Sequence, residues 1–333
     1  MLVTDRKVRV AQAGMGRQGR DIATAAQAAG NLELVACFDA NREAATQAAA
    51  DFGCRAVESF EDLLRDESVK GIVIVSPNQL HREQAVAAVK AGKHVFVEKP
   101  IANTLAEARD MVLAAREAGR WLQVGHNMRR RGAQRKMKEL VEQGAIGQMV
   151  VAEANFGHSH GLRMQPGEWR WRWDNTPGGA LMLLGVHHAD SLSWLCGPIK
   201  RVTGFLGRVA TAAEIEDAGA VALEFESGAF GGLTTGYSYP RQVHLNLYGT
   251  RGNILSDERD ATITLVGPEG EVARIPAPEV DTLRDEMQDF GRCIMQGRRP
   301  ETGGEEGFNA LAVVWAAIES SRSGRAVEVE KAP

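Results

Sequence analysis

The fold of this chain is decided by Val8-Arg9-Val10-Ala11-Gln12-Ala13-Gly14-Met15-Gly16-Arg17-Gln18-Gly19. The first half of this stretch is a short β-type run, and the second half is a GxGxxG pattern that opens a helix-forming segment. Glycines allow the backbone to turn tightly and to approach a pyrophosphate, while the helix N-terminus offers free N–H groups to phosphates. The pattern predicts a dinucleotide site in which residues 14–19 hold the pyrophosphate.

A carboxylate follows the next β-type run. Asp39 ends the run Leu32–Asp39, 20 residues after Gly19, where it can accept hydrogen bonds from an adenosine ribose. Because a carboxylate at this position repels a 2′-phosphate, the sequence favours NAD over NADP. Arg42 could instead clamp a phosphate or stack on adenine, so NADP is the alternative cofactor.

The first third of the chain alternates β-type runs with Ala-rich helical stretches, which is typical of βαβ units that feed a parallel sheet. The predicted strands are Val8–Ala13, Leu32–Asp39, Ala56–Val57, Gly71–Val75, His94–Glu98 and Trp121–Gly125. Helix N-caps are predicted at Asn41, Ser59 and Thr104, and C-terminal glycines at Gly30, Gly53, Gly92 and Gly119. We therefore predict a doubly wound α/β domain of the Rossmann type over residues 1–125.

From about residue 134 the pattern changes to alternating runs separated by turn residues, which predicts a mostly antiparallel sheet. The predicted strands there include Met149–Phe156, Val202–Val209, Ala218–Phe225, Ala229–Tyr237 and Val243–Tyr248, and the predicted helices are Gln134–Gln143, Leu181–Leu195, Asp281–Gln296 and Glu305–Ser321. We predict an α+β domain with a large open sheet over residues 126–333. A monomer would leave an apolar sheet face in water, so we expect a homodimer or homotetramer packed through it.

The composition excludes several classes of protein. The 333 residues carry 39 Lys and Arg against 43 Asp and Glu, a net charge of −4, which argues against a nucleic-acid partner. The longest uncharged stretch, Asn175–Ala189, is 15 residues long, whereas a membrane helix needs about 20 apolar residues. Four scattered cysteines and a charged N-terminus predict a reduced, cytoplasmic protein that acts on a small molecule.

Two further stretches resemble the Gfo/Idh/MocA oxidoreductases, the group of glucose–fructose oxidoreductase and inositol dehydrogenase. They are Ser76-Pro77-Asn78-Gln79-Leu80-His81 after the fourth predicted strand and Val97-Glu98-Lys99-Pro100 after the fifth. The likeness continues through Gln123–Asn127, Ala145–Gln148, Gly178–His187 and Ala316–Ser321, so it spans nearly the whole chain.

The resemblance implies hydride transfer between a nicotinamide and a secondary alcohol or ketone of a sugar-like, cyclic or acidic small molecule. It implies that Glu98 touches the nicotinamide ribose and that Lys99 reaches the substrate hydroxyl. The residues implied to line the cofactor are Ser76, Pro77, Asn78 and His81. A lysine close to a cationic nicotinamide and away from bulk water has its charged form disfavoured, which suits proton transfer.

The resemblance also implies an Asp and a His four residues apart on one helix face. His187 matches the histidine, but the position four residues earlier is Leu183, which can neither relay a proton nor bind a hydroxyl. Lys99 and His187 would then carry the acid–base chemistry alone. Asp190 could orient the His187 imidazole, and pairing elsewhere in the domain is the alternative.

The segment between Phe156 and Thr176 is rich in Trp, Arg and His and borders the substrate pocket in the family. Arg172 could grip a carboxylate or phosphate, and Asn127 is a further candidate for substrate contact. We therefore hypothesise an anionic or aromatic substrate, with subunit contacts or exposed Trp–Arg stacking as the alternative. We expect no metal, because the spacing of His158 and His160 is easily met by chance.

Three alternative functions stay open. A dihydrodiol-type dehydrogenase and a redox-assisted elimination on a sugar would both use the same cofactor geometry with different acid–base groups. A dinucleotide-binding sensor without turnover would explain Leu183, whereas the intact Glu98-Lys99-Pro100 favours catalysis.

Overall fold

The structure is a computed structural model that describes residues 7–257 and 262–333. Its contacts divide the chain into two compact units. The first comprises the residues through Asn127 together with Asp281–Phe308 and Pro333, and the second comprises Met128–Val280 and Asn309–Ala332. The sequence pattern assigns residues 281–308 to the second domain, whereas their contacts group them with the first unit.

The strands are β1 (Val8–Ala13), β2 (Leu32–Phe38), β3 (Arg55–Ala56), β4 (Gly71–Ile74), β5 (His94–Val97), β6 (Leu122–Val124), β7 (Met149–Gly157), β8 (Ile199–Gly207), β9 (Ala218–Phe225), β10 (Phe230–Gly236), β11 (Gln242–Gly249), β12 (Gly252–Asp257), β13 (Thr262–Val266), β14 (Val272–Pro276) and β15 (Val327–Glu328). The helices are α1 (Arg17–Ala28), α2 (Arg42–Phe52), α3 (Phe60–Arg65), α4 (His81–Lys90), α5 (Leu105–Glu117), α6 (Gly132–Glu142), α7 (Val186–Cys196), α8 (Thr282–Gln296) and α9 (Gly304–Ser323).

The first unit contains a six-stranded parallel sheet in the order β3-β2-β1-β4-β5-β6. The strand order reverses between β1 and β4, and this switch point is where open α/β sheets bind ligands, beyond the carboxyl ends of the strands. The predicted doubly wound domain is confirmed. The sheet's core includes Val10 and Phe96 and is covered in part by Met287 and Phe290 of α8.

The helix ends of this unit follow local side-chain chemistry. The Asn41 side chain accepts hydrogen bonds from the N–H groups of Glu43 and Ala44, and Ser59 and Thr104 each form a reciprocal capping box. Gly53 ends α2 in the left-handed conformation at φ 66°. These caps confirm the predicted starts of α2, α3 and α5.

The second unit contains a nine-stranded sheet in the order β14-β13-β12-β11-β7-β10-β9-β8-β15. All its strand pairs are antiparallel except β7 with β10, so the predicted mostly antiparallel open sheet is confirmed. Along β7, Ala152, Ala154 and Phe156 are buried and alternate with Glu153 on the opposite face. Within the described ranges, the helices are all too short or too polar to cross a membrane.

Candidate active site

The glycine turn after β1 has two glycines that the protein's own packing requires. A Cβ on Gly14, at φ +93°, would lie 2.5 Å from the carbonyl of Val75, and a Cβ on Gly19 would lie 2.1 Å from the Gly14 oxygen. A Cβ on Gly16 would meet no protein atom within 4 Å. The turn therefore leaves open space beside Gly16, where the backbone can approach a bound group closely.

A buried glutamine that sequence reasoning missed holds this turn. Gln12 lies in β1, and its Nε2 donates to the carbonyl oxygens of Gly14 at 2.9 Å and of Gly19 at 2.7 Å. One amide thus joins the two ends of the turn. The signal in the sequence was a polar side chain inside an otherwise apolar strand directly before the glycines.

Asp39 follows β2 and lies against the same turn. Its Oδ2 accepts a hydrogen bond from the Met15 N–H at 2.7 Å, and its Oδ1 accepts from the Asn41 N–H at 2.8 Å. Each carboxylate oxygen has a further lone pair, so the group can also accept from ribose hydroxyls. Arg42 forms an exposed ion pair with Glu58 at 2.6 Å. The Arg17 side chain is exposed as well.

The segment after β4 offers one polar group toward a ligand. Asn78 is buried, and its Nδ2 has no hydrogen-bond partner among residues 7–257 and 262–333. Ser76 Oγ donates to Gln84 Oε1 at 2.7 Å, and Pro77 is exposed. The buried Asn78 amide is therefore a donor that a bound molecule can satisfy.

His81 ties this segment to the one after β5. Its Nε2 lies 2.9 Å from the Ser76 carbonyl oxygen and its Nδ1 lies 3.0 Å from the Pro100 carbonyl oxygen. Burial lowers the pKa of His81, and the two carbonyl groups oppose that shift. These contacts make His81 a link between two strand ends.

Glu98 and Lys99 follow β5. The Glu98 carboxyl accepts from the Lys99 N–H at 3.1 Å and from Gln18 Nε2 at 3.4 Å, which connects β5 to the helix that follows the glycine turn. Burial raises the pKa of Glu98, and the positive charge of Lys99 opposes this shift. Lys99 is half-buried, and its peptide bond to Pro100 is cis.

The predicted site residues of the first unit share one edge of its sheet. Because the six strands are parallel, the segments after β1, β2, β4, β5 and β6 emerge on the same side. They carry Gly14–Gly19, Asp39, Ser76–His81, Glu98–Lys99 and Asn127, whose Nδ2 donates to Thr282 Oγ1 at 2.9 Å. The open space at Gly16, the oriented Asp39 carboxylate and the unsatisfied Asn78 amide fit a dinucleotide.

In the second unit, His187 is the second residue of α7 and directly follows a π-helical turn, Leu181–Gly185. The Val186 N–H donates to the Leu181 oxygen, five residues earlier, so the turn before His187 is wider than an α-helical one. The side chain one turn before His187 is then Met182 or Leu183. Both are buried and apolar, so the changed register restores no acid.

Leu183 belongs to a hydrophobic cluster, and the His187 imidazole packs beside this cluster. The His187 ring lies 5.9 Å from the ring of Phe156, a member of the same cluster. The buried members are Met128, Phe156, Met164, Ala180, Leu183, Leu184, Ala213, Ile215, Tyr237 and Val243. We call this set the Leu183 cluster.

Asp190 is engaged by a buried arginine. Its two carboxylate oxygens accept from Arg129 Nε at 2.7 Å and Nη2 at 2.6 Å, and the two side chains are 1% and 7% exposed. Of the two roles predicted for Asp190, orienting His187 or pairing elsewhere in the domain, the structure thus shows the pairing. Because both oxygens of Asp190 serve Arg129, the carboxylate holds the first turns of α7 in place.

The aromatic and basic segment after β7 contains three short 3₁₀ turns. The Arg170 guanidinium lies 4.3 Å from the centre of the Trp169 ring, which is the predicted Trp–Arg stacking. Arg172 is exposed and forms no ion pair with any part of the chain that the structure describes. Arg163, in the same segment, is exposed as well, so an anion can reach both arginines.

The imidazoles of His158 and His160 pack on Tyr237, at 4.7 and 5.5 Å between ring centres. The sequence pattern places Tyr237 at the end of a predicted strand. It gives no signal that this buried side chain contacts the two imidazoles. Among the described residues, no three His, Cys, Asp or Glu side chains form a group that could hold a metal ion.

The glycine turn, the carboxylate after β2 and the half-buried lysine after β5 are typical of the dinucleotide-dependent oxidoreductases. Residues 8–126 match the oxidoreductase family with an NAD-binding Rossmann fold, and residues 134–255 match the Gfo/Idh/MocA C-terminal domain. The chain belongs to the Gfo/Idh/MocA family of NAD(P)-dependent oxidoreductases.

Similar proteins act on sugars and cyclic polyols. The chain is 30% identical over 312 residues to 1,5-anhydro-D-fructose reductase of Ensifer adhaerens, covering 90% of this chain and 91% of that one. It is 27% identical to myo-inositol 2-dehydrogenase of Thermotoga maritima, covering 97% and 99%. A crystal structure of a putative NADPH-dependent oxidoreductase from Desulfitobacterium hafniense superposes with a TM-score of 0.93 at 32% identity, covering 97% and 98%.

Proposed function

We propose that this chain is a dehydrogenase or reductase that moves a hydride between NAD and a CH–OH carbon of a sugar-like or cyclic small molecule. The observation that carries the proposal is the shared sheet edge, where Gly16, Asp39 and Asn78 suit a dinucleotide and Lys99 follows the adjacent strand. The sugar and polyol relatives support the substrate class.

Each residue at this edge has a proposed role. Backbone N–H groups of residues 14–19 hold the pyrophosphate, Asp39 accepts from the adenosine ribose, and Asn78 Nδ2 donates to the cofactor. When bound, the cofactor supplies the hydride acceptor or donor. Lys99 Nζ takes the hydroxyl proton during oxidation and returns it during reduction. In the second unit, His187 is the proposed partner in proton handling.

The experiment is a screen of sugars, polyols, sugar acids and dihydrodiols with NAD and NADP, followed by absorbance of the reduced nicotinamide. We expect turnover of at least one sugar or polyol. If the protein binds the dinucleotide but converts none of these compounds in either direction, it is the dinucleotide-binding sensor without turnover that would explain Leu183. Turnover of dihydrodiols alone would assign the dihydrodiol-type activity, and release of water from a sugar without net cofactor reduction would assign the elimination.

Replacing Asp39 by Asn tests the proposed cofactor preference. Asn keeps an oxygen for the Met15 N–H but removes the charge that would repel a 2′-phosphate. We expect the ratio of kcat/KM for NADP to that for NAD to rise about tenfold or more, since hydrogen bonds to charged groups contribute about 1.5–3 kcal/mol. The Asp110→Asn variant is the control, because it makes the same chemical change in an exposed ion pair with Arg82. Wild-type preference for NADP would contradict the assignment.

We also propose a homodimer or homotetramer that packs through the exposed face of the nine-stranded sheet. Phe205 and Phe230 lie on this face and are 82% and 58% exposed. We expect light scattering to give a multiple of 36.0 kDa. We expect Phe205→Glu to shift the mass toward one chain. A wild-type mass of one chain would refute the oligomer.

Cytoplasmic location stays a prediction from the cysteine pattern.

A further inference from the structure

The wall around His187 in the second unit is apolar. Leu183 and Leu184 are each 6% exposed, and both belong to the Leu183 cluster with Phe156, whose ring lies beside the His187 imidazole. The turn that carries Leu183 leads directly into the turn that carries His187. A molecule held at His187 therefore meets hydrocarbon on this side.

The buried aspartates of this unit are engaged by other parts of the same unit. Both oxygens of Asp190 accept from Arg129. Asp217 accepts from the N–H groups of residues 209, 210 and 211, at 2.7, 2.8 and 2.6 Å. Among the described residues of the second unit, Asp190 and Asp217 are the two buried aspartates, and both hold the fold together.

A hydroxyl group pressed against the side chains of Leu183 and Leu184 gives up its hydrogen bonds to water and gains no partner. Hydrophobic pockets reject an added hydroxyl by up to about a hundredfold in kcat/KM. A substrate with a C–H group or an ether oxygen at that position loses nothing on binding. The wall thus discriminates between a sugar and its deoxygenated analogue.

We propose that Leu183 is a specificity-determining residue, and that the substrate is a sugar-like ring with a hydroxyl-poor edge, a deoxy carbon or an ether oxygen, on the side that lies against Leu183. This inference rests on the proposed function and deepens it. Polar contacts to the remaining hydroxyls come from the imidazole and phenol groups of His158, His160 and Tyr237, which pack together on the adjoining strand ends.

The test compares D-glucose with 2-deoxy-D-glucose, 3-deoxy-D-glucose, 6-deoxy-D-glucose and 1,5-anhydro-D-glucitol, each with NAD and with NADP. We expect at least one of the four analogues to have a kcat/KM about ten to a hundred times that of glucose. Glucose equal to or better than every analogue overturns the inference. If none of the five compounds is converted, the inference is also overturned. The wider screen of sugars, polyols, sugar acids and dihydrodiols then tests the proposed function separately.

Variants in the Leu183 cluster provide a second readout. Leu183→Asn places a hydrogen-bond donor and an acceptor on the wall. We therefore expect the ratio of kcat/KM for the best analogue to kcat/KM for glucose to fall at least tenfold. Leu184→Asn is the matched control, because Leu184 is equally buried in the same cluster and its substitution should lower the melting temperature and leave the ratio unchanged. Leu183→Thr gives the same comparison if the Asn variant does not fold. An unchanged ratio in a folded Leu183 variant refutes the assignment.

Discussion

Replacing Lys99 by Met should lower kcat by about 10²- to 10⁴-fold, the range that a positioned general acid or base contributes. The affinity for the dinucleotide should change little, because the glycine turn and Asp39 carry most of that binding. Lys99 follows β5, where its N–H donates to the buried Glu98 carboxyl. The substitution keeps the length of the side chain and removes the group that moves the proton. Single-turnover kinetics and calorimetric titration with NAD separate the two effects.

Lys93 provides a matched control at the other end of the same strand. It is buried, and its Nζ donates to the carbonyl oxygens of Asp66 at 2.7 Å and of Val69 at 2.9 Å. Lys93→Met leaves two buried acceptors without this donor, so it should lower the melting temperature and leave kcat unchanged. Loss of kcat in both variants, or in neither, would show that Lys99 has no special part in the reaction.

The first unit was largely predictable because its signals are local. Short apolar runs bounded by glycines mark the strands, and capping residues such as Asn41, Ser59 and Thr104 mark the helix starts. The observed β1 matches its prediction at both ends, and the other predicted strands of this unit differ by one residue at one or both ends. Because parallel strands end at one edge, correct strand ends also predict which loops share a site.

The second unit was less predictable because its pairings join residues far apart in the chain. The parallel pair of β7 with β10 has no counterpart in local periodicity. Apolar and polar residues alternate only weakly along strands β12, β13 and β14, which also contain charged and turn-forming residues. The sequence pattern therefore does not distinguish these strands from loops. Likewise, an amphipathic helix such as α8 shows that it buries one face, but not which sheet it covers.

The contacts that orient the site side chains were the hardest to predict. The π-helical turn before His187 changes the register by one residue, and its sequence, Leu181–Gly185, reads like ordinary helix. The role of Gln12 depends on two carbonyl oxygens that only the folded turn brings together. Motifs thus predicted the residues of the site, while long-range geometry decides how they are held.

The ion pair of Arg129 with Asp190 gives the largest expected effect on stability. Asp190→Ala removes the carboxylate that accepts two hydrogen bonds from the buried Arg129 guanidinium, and removing one partner of a buried pair costs about 3–5 kcal/mol. The Arg129 guanidinium also lies 5.7 Å from the centre of the Trp194 ring, and its side chain is 7% exposed. We expect the free energy of unfolding, measured in urea by circular dichroism, to fall by that amount.

The double variant Arg129→Met with Asp190→Leu separates the contribution of the whole pair from the cost of removing one partner. Hydrophobic replacement of a whole buried ion pair is often neutral or stabilising, so we expect the double variant to regain most of the stability that Asp190→Ala loses. Glu58→Ala is the surface control, since the Arg42–Glu58 pair is 82% and 72% exposed and screened by water. A double variant as unstable as Asp190→Ala would mean that the carboxylate holds α7 through contacts other than Arg129, and the turn that carries His187 would then depend on Asp190 itself.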